Sequence, residues 1–500
     1  MLKKIRISLS VIIFALLTFY FLDFAGILPH TFHVLGHIQF VSALLAANSI
    51  IVLFLIILTV LFGRIYCSSI CPMGVFQDII GRFSKGIHRK KKYSYRKNNI
   101  ILRWSILGIV LILYLFGFTM LLGIADPYSA YGRMAVHLFK PIYLFGNNLL
   151  ASIFNSFGNY TFYRVEIAVL SISSFIVAAL TFLIIGIMAW TNGRLYCNTI
   201  CPVGTILGWI SKFSFFKIRI KDDECVACGI CVQKCKASCI DIQTKKIDYT
   251  RCVNCFNCID SCNLKGVSFS RCKGKKMQEP DEKRRQFLLT GLTTVMGIPA
   301  VLAQRRKRNK LFAREDSIRN TPISPPGAMS TEHLLRHCTS CHLCITKCPS
   351  KVLKPAFMEY GIEGMMQPIM YFEKGFCNFN CTVCSNVCPS KALSPLTVEQ
   401  KHLTQVGRVV FHKEDCVAYT KGYNCGACSE HCPTQAVRMM PYTGGLTIPH
   451  TDPDICVGCG GCEFICPTHA IYVEGNKTHQ QAKAFSVEKK DEKEITDFGF

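Results

Sequence analysis

Two cysteine runs stand back to back at residues 225–262: Cys225, Cys228, Cys231 and Cys235, then Cys252, Cys255, Cys258 and Cys262. No other stretch restricts the fold so tightly. Each run reads C-x2-C-x2-C-x3-C, a spacing that wraps three thiolates round one face of an iron–sulfur cubane and sends the fourth to its neighbour. By that rule Cys225, Cys228, Cys231 and Cys262 hold one [4Fe–4S] cluster, and Cys252, Cys255, Cys258 and Cys235 hold the other. Soft iron sites select thiolate over imidazole or carboxylate.

Four further runs occupy residues 338–466. Cys338, Cys341, Cys344 and Cys348 keep the standard spacing, as do Cys456, Cys459, Cys462 and Cys466. Cys377, Cys381, Cys384 and Cys388 carry one extra residue, and Cys416, Cys425, Cys428 and Cys432 open with a long gap. All four end in Cys-Pro, at Pro349, Pro389, Pro433 and Pro467. Their pairing is open: neighbours share, or the first run pairs with the last and the two variants with each other. Cys338-Thr-Ser-Cys341-His342 also spells the haem c motif CxxCH, but Cys344 and Cys348 continue the ferredoxin spacing. The expected cofactors are therefore six [4Fe–4S] clusters.

Of 30 cysteines, these runs use 24 and two CxxxCP motifs use four, leaving Cys239 and Cys272. Cys239 reads as core packing and Cys272 as an exposed thiol. Lys236 stands where a proline usually follows the last cysteine of a run. A disulfide framework would not repeat two-residue spacings six times.

The formal charge of +25 overstates the basic character, because a thiolate-bound cubane carries roughly two negative charges. The remaining Lys and Arg lie mostly beside apolar segments. No aromatic platform interleaves with them, so nucleic acid is not an expected partner. Four apolar segments, Ile7–Leu28, Val41–Phe62, Ile100–Ile124 and Ile167–Trp190, are long enough to predict a four-helix transmembrane domain. Lys3, Lys4, Arg6 and the basic loop at 82–97 put both ends of that half in the cytoplasm by the positive-inside rule. The expected location is the bacterial inner membrane, as a multi-pass protein.

Gly63-Arg-Ile-Tyr-Cys67-Ser-Ser-Ile-Cys71-Pro72-Met-Gly74 recurs as Gly193-Arg-Leu-Tyr-Cys197-Asn-Thr-Ile-Cys201-Pro202-Val-Gly204. Such a repeat predicts two copies of a two-helix unit. Cys67, Cys71, Cys197 and Cys201 are candidate metal or redox ligands, the alternative being structural turns with buried cysteines. A quinol site needs a proton acceptor and an aromatic wall. The candidates on the outer loops are His30, His33, His37, Asp126, Tyr128, Arg133 and His137, against the alternative that they anchor helices at the interface. Paired histidines for haem b are absent from the helix centres.

Lys283-Arg284-Arg285-Gln286-Phe287-Leu288, followed by an apolar stretch to Ala303, resembles a twin-arginine export signal; the basic run Arg305–Lys310 beyond it runs against the positive-inside trend. The predicted fold is a multi-domain membrane protein: a four-helix transmembrane domain plus α+β ferredoxin-like [4Fe–4S] domains. Its parts are a membrane domain at 1–215, a cytoplasmic two-cluster domain at 216–272, a linker with the signal at 273–330, a four-cluster domain at 331–475 and a charged tail at 476–500.

The paired GRxYCxxxCP motifs ahead of a ferredoxin pair resemble NapH-type membrane subunits of quinol dehydrogenases. From the RRxFL signal onward the chain resembles NapG/MauM-type exported iron–sulfur subunits, so the whole resembles a fusion of the two. The resemblance implies electron transfer from the membrane quinone pool to a periplasmic acceptor, a cytochrome or a reductase such as nitrate reductase. NosR-type and FixG-type proteins share the CxxxCP module, which leaves an assembly or regulatory redox factor as the alternative.

Overall fold

A computed structural model of the chain describes residues 2–87, 92–167, 171–271 and 319–483. The twin-arginine-like stretch and Cys272 lie outside the described residues. Residues up to 211 fold as helices, and each iron–sulfur half follows as short helices and two-stranded antiparallel sheets.

The expected four-helix transmembrane domain is corrected by this structure. Among the described residues only Leu2–Leu22 and Ile172–Asn192, 21 residues each, are long and apolar enough to cross a membrane. The second apolar segment breaks after Phe40–Leu45: Ala47 turns into the left-handed region (φ 52°), and Asn48 caps a new helix by accepting from Ile51 N. What remains, Ser49–Phe62, has 14 residues, about 21 Å at 1.5 Å per residue. The third segment ends its helix at Leu115 after 16 residues, and Gly117 (φ 84°) redirects the chain before Met120–Ala125. Neither reaches the roughly 30 Å of a bilayer core.

The two copies of the repeat fold alike. Gly63 and Gly193 end their helices at φ 69° and 70°, a conformation that glycine adopts without penalty. One-turn helices Ile65–Ser69 and Leu195–Thr199 carry the first cysteine of each motif. Pro72 and Pro202 then begin the next helices, Pro72–Ile87 and Pro202–Ser211, because proline suits a first helical turn that has no amide partner.

In the first iron–sulfur unit Phe216–Ile220 pairs antiparallel with Val267–Arg271, closing residues 216–271 into one body. The second unit already includes Arg319, which bonds to Val473 O and pairs with Glu463. Its longest strands are Thr404–Phe411 and Ile471–Gln481. That last strand corrects the tail boundary expected at 475: a bulge past Gly475 carries the pairing on to Gln481.

The cysteine loops share a backbone signature. In the four standard runs the residue before the second cysteine and the residue after it both have positive φ: Ala227 and Gly229, Asn254 and Phe256, Ser340 and His342, Gly458 and Gly460. Three residues past the last cysteine, all six runs turn left-handed again, at Ser238, Lys265, Lys351, Lys391, Gln435 and His469. Most of these are not glycine, so the strain is held by the surrounding loop, as is usual at functional sites.

The two units meet opposite ends of the same helices. Lys3 pairs with Asp260 at one end of Leu2–Leu22, and Asp23 pairs with Lys347 just past the other. Arg103 donates to Thr250 Oγ1 near the start of Ile100–Leu115, whereas Thr119 donates to Leu335 O beyond its end.

Candidate iron–sulfur centres

The described cysteines are free thiols, and they gather in quartets. Cys235 lines one cavity with Cys252, Cys255 and Cys258, and Cys225 and Cys228 stand beside Cys231. Cys235 thus stands with the cysteines of the second run, as crossed sharing requires. Cys239 is buried, and its Sγ lies 3.6 Å from Cys235 Sγ, so its packing position is against a ligand.

The second unit resolves the open pairing in favour of neighbours. Cys338, Cys341 and Cys344 group with Cys388, while Cys348 lines a cavity with Cys377, Cys381 and Cys384. Cys466 joins Cys416 and Cys428, with Cys425 beside Cys428, and Cys432 joins Cys456, Cys459 and Cys462. Cys377 N donates to Cys459 O at 2.9 Å, which sets the second quartet against the third. The quartets thus follow one another from the helical body outward.

These all-thiol sets fit iron–sulfur clusters. Burial, the largest cause, lifts Cys341 and Cys459 to about 12 and Cys456 to about 11. Metal binding is what draws such protons off. Among the described residues no three ligand-type side chains converge on a point as they would round a single ion; thiols on a cubane stand farther apart.

Cys67, Cys71, Cys197 and Cys201 are all buried, and they share one core with Cys255 of the first unit and Cys341 and Cys344 of the second. The two copies of the repeat interlock. Arg64 Nη2 donates to Cys197 O at 3.0 Å, and Arg194 Nη1 donates to Cys67 O at 2.5 Å. A Cβ on Gly74 would stand 2.1 Å from Cys67 O, and one on Gly204 2.2 Å from Cys197 O, so both closing glycines are needed for the chain to fold back on its own motif.

The departure at Lys236 now has a structural account. Its ammonium pairs with Asp78, which also meets Arg194 at 2.7 Å and Arg6 at 3.5 Å. Burial would raise the Asp78 pKa, but Arg194 and Lys236 override it and hold the carboxyl well below the usual range. A proline at 236 would remove this anchor.

Of the seven residues expected at a quinol site, Arg133 and His137 bond to the second unit. Asp126 caps helix Pro127–Met134, accepting from Ser129 N at 2.8 Å and Oγ at 2.7 Å. Arg133 donates to Ser340 O and Gly123 O. Tyr128 packs on Phe21. His137 Nε2 lies 2.8 Å from His342 Nδ1, and His342 Nε2 lies 2.9 Å from Met366 O. A carbonyl only accepts, so His342 Nε2 donates and His137 Nε2 donates to Nδ1. Burial, then Arg133, pushes His137 down to about 4, which keeps the pair neutral. His33 and His37 meet edge-on, and His30 opens the turn His30–His33.

Among the described side chains none of these candidates lines a cavity of about 660 Å³ at the end of helix Leu2–Leu22. Tyr20, Asp23, Phe24, Lys140, Lys347 and the Cys348-Pro349 corner do. Sequence reasoning passed over Asp23 and Asp78, although a signal was present. They and Asp126 are the sole carboxylate side chains before Glu166, and acids that scarce in a basic, apolar half mark buried pairings.

Residues 44–91 and 174–221 each match the 4Fe-4S binding domain family, and residues 423–471 match the 4Fe-4S dicluster domain family. YccM of Escherichia coli, whose name describes an electron transport protein, is 24% identical over 250 residues, 49% of this chain and 60% of YccM. The methylamine utilization ferredoxin-type protein MauN of Paracoccus denitrificans is 26% identical over 176 residues, 35% of this chain and 48% of MauN. The pyruvate synthase subunit PorD of Methanothermobacter marburgensis is 34% identical over 56 residues, 11% of this chain and 68% of PorD. The chain thus spans 60% of the length of YccM and 48% of that of MauN.

Thiol quartets in this order, together with those matches, define an iron–sulfur electron-transport protein. The chain carries 4Fe-4S binding and dicluster domains, and YccM and MauN are among its homologues.

Proposed function

We propose that this chain is a membrane-bound quinol dehydrogenase component that passes electrons through six [4Fe–4S] clusters to a periplasmic acceptor, a cytochrome or a terminal reductase. Helices Leu2–Leu22 and Ile172–Asn192 anchor it in the inner membrane. The unit at 216–271 faces the cytoplasm, and the unit from 319 onward faces the opposite side. A NapH-type half fused to a NapG-type half has this division of labour.

One observation carries the reading: the 660 Å³ cavity lies where the first apolar helix ends and opens against Cys348-Pro349. A quinol seated there has an apolar wall in Tyr20, Phe24 and Leu144 and polar groups in Asp23, Lys140 and Lys347. Oxidation to the quinone releases two protons and two electrons. Lys347 and the amides of Ile27 and Leu28 keep the Asp23 carboxyl ionised against burial, so it takes one proton as the quinol displaces Lys347 from it, and the other leaves to water through the open side of the cavity. When clusters are bound, the Cys348 quartet would take the two electrons one at a time, the first moving on to the adjoining Cys459 quartet before the second arrives. Lys140, whose ammonium donates to Thr346 O and Oγ1, orients the wall between cavity and thiols.

The test is anaerobic mixing of the purified full-length chain with a menaquinol analogue, following bleaching of the iron–sulfur absorbance. Bleaching that slows in Asp23→Asn supports the proposal. Clusters that stay oxidised with quinol, yet are reduced by a ferredoxin or flavoprotein, overturn it in favour of an assembly or regulatory role.

A further inference from the structure

Six clusters leave a gap between the two iron–sulfur units, because the helical body separates them. We infer that Cys67, Cys71, Cys197 and Cys201 together hold one further iron–sulfur cluster, shared between the two copies of the repeat, which joins the units into a single electron path. The inference rests on the electron-transport reading above but not on its quinol step.

Stoichiometry comes first. Each copy matches a 4Fe-4S binding family, yet each brings only two cysteines. A cluster needs about four thiolates, so neither copy completes a site alone. The crossed arginine bonds make the two copies one rigid unit, with all four thiols between 3 and 4% exposed.

Charge points the same way. Arg64 is fully buried, and among the described residues no carboxylate lies within ion-pair distance of it. Its partners are neutral oxygens of Asn198, Thr250 and Cys197, and its Nε has none. Nη2 stands 3.9 Å from Cys67 Sγ. A buried cation without an anion is expensive, and a thiolate-ligated cluster would supply the missing negative charge. Two further donors already address the sulfurs: Gln77 Nε2 reaches Cys197 Sγ at 3.1 Å, and Gly204 N reaches Cys201 Sγ at 3.3 Å. Hydrogen bonds to ligating sulfur are how proteins support and tune such centres.

Position completes the case. The core around the four thiols takes in Val253 and Cys255 from one unit and Cys341, Leu343 and Cys344 from the other. An electron that enters from the Cys235/Cys252/Cys255/Cys258 side leaves to the Cys338/Cys341/Cys344/Cys388 side. One donor is oxidised by one electron and one acceptor reduced by one, with no bond made and no proton required.

The test counts iron and acid-labile sulfide in the anaerobically purified full-length chain, against Cys67→Ser with Cys197→Ser, one ligand from each copy. The expected result is loss of one cluster's iron and sulfide, with the remaining electron paramagnetic resonance signals unchanged. Transfer from a photoreduced 216–271 unit to the second unit should be lost, while dithionite still reduces both. Arg64→Gln, which keeps all four thiols, should shift the signal that the double variant loses. Equal iron in wild type and double variant overturns the inference, as does mass-spectrometric detection of a Cys67–Cys71 or Cys197–Cys201 disulfide in the wild type. Because iron content is read without quinol, failure of the quinol assay leaves this result standing.

Discussion

The two iron–sulfur units hold onto the helical body in different ways. At 216–271 a buried charge cluster, in which Asp78 gathers Arg194 and Arg6 of the body with Lys236 of the unit, joins hydrogen bonds from Arg64, Asn198 and Ser211 to the carbonyls of Thr250, Ala237 and Tyr249. From 319 onward the contact is mostly hydrogen bonds from side chains of the body to backbone carbonyls of the unit, by Arg133, Lys140 and Thr119, with the neutral His137–His342 pair and one ion pair, Asp23–Lys347. Both units thus accept hydrogen bonds from the body at their backbone carbonyls, and what sets the first apart is the buried charge cluster gathered at Asp78. A buried ion cluster fails when one charge is removed, whereas an interface of neutral hydrogen bonds fails by steric intrusion or by stranding a donor.

That contrast can be broken most severely at Asp78. Asp78→Ala strands three cations in a buried site, and removing one partner of a buried pair costs about 3–5 kcal/mol. The 216–271 unit should become protease-sensitive while the second unit stays protected. Undocking of both units would erase the distinction.

The corresponding steric test is Gly132→Ala. Its Cβ would meet Cys341 O at 2.5 Å, and overpacking of this kind costs about 1–3 kcal/mol. Proteolysis should now release the second unit and spare the first. His137→Phe probes the same face by leaving His342 Nδ1 without its donor, a loss of about 1–3 kcal/mol, read as a lower melting temperature of the second unit.

Acid should separate the units as well. Asp78 is depressed, so its contribution is complete above the unfolded carboxyl value near 3.9 and fades only below that. His479 is half-buried, desolvation pushes it down to about 4, and its Nε2 bonds with Ser324 Oγ at 2.8 Å. An unfolded histidine takes its proton near 6.5, so the second unit should lose stability progressively from about pH 6.5 to 4. The upper bound is roughly 3 kcal/mol, reduced because the ring is partly open to water. Thermal melts of the wild type and His479→Gln across that range would show a shallower slope in the variant, the remainder belonging to the lowered His137, His342 and His337. At the small end, Lys3→Ala removes an exposed ion pair with Asp260, and melts should not change, since such pairs contribute little.

Much of the chemistry was legible because cysteine spacing is local. A run of C-x2-C-x2-C-x3-C dictates a loop that turns left-handed at fixed positions, and Ala227, Asn254 and Ser340 do so although none is glycine. The GRxYCxxxCP repeat was equally readable, since both copies build the same turn. Hydropathy misled on the spans. It counts apolar residues along the chain, whereas spanning needs an unbroken helix, and the turns at Ala47 and Gly117 cut two segments short.

From sequence alone came the thiolate chemistry, the spacing of each run and the crossing of Cys235 to the run at 252–258, because all depend on residues close together in the chain. Only the tertiary structure decided that the four later runs pair with their neighbours and that Cys67, Cys71, Cys197 and Cys201 meet. It also decided that Lys236 is an anchor rather than a defect. Those outcomes depend on which surfaces pack together over 100 residues or more, where Asp78 finds Arg194 and Lys236 and Arg64 finds Cys197. Packing of that range leaves no periodic mark in a single chain.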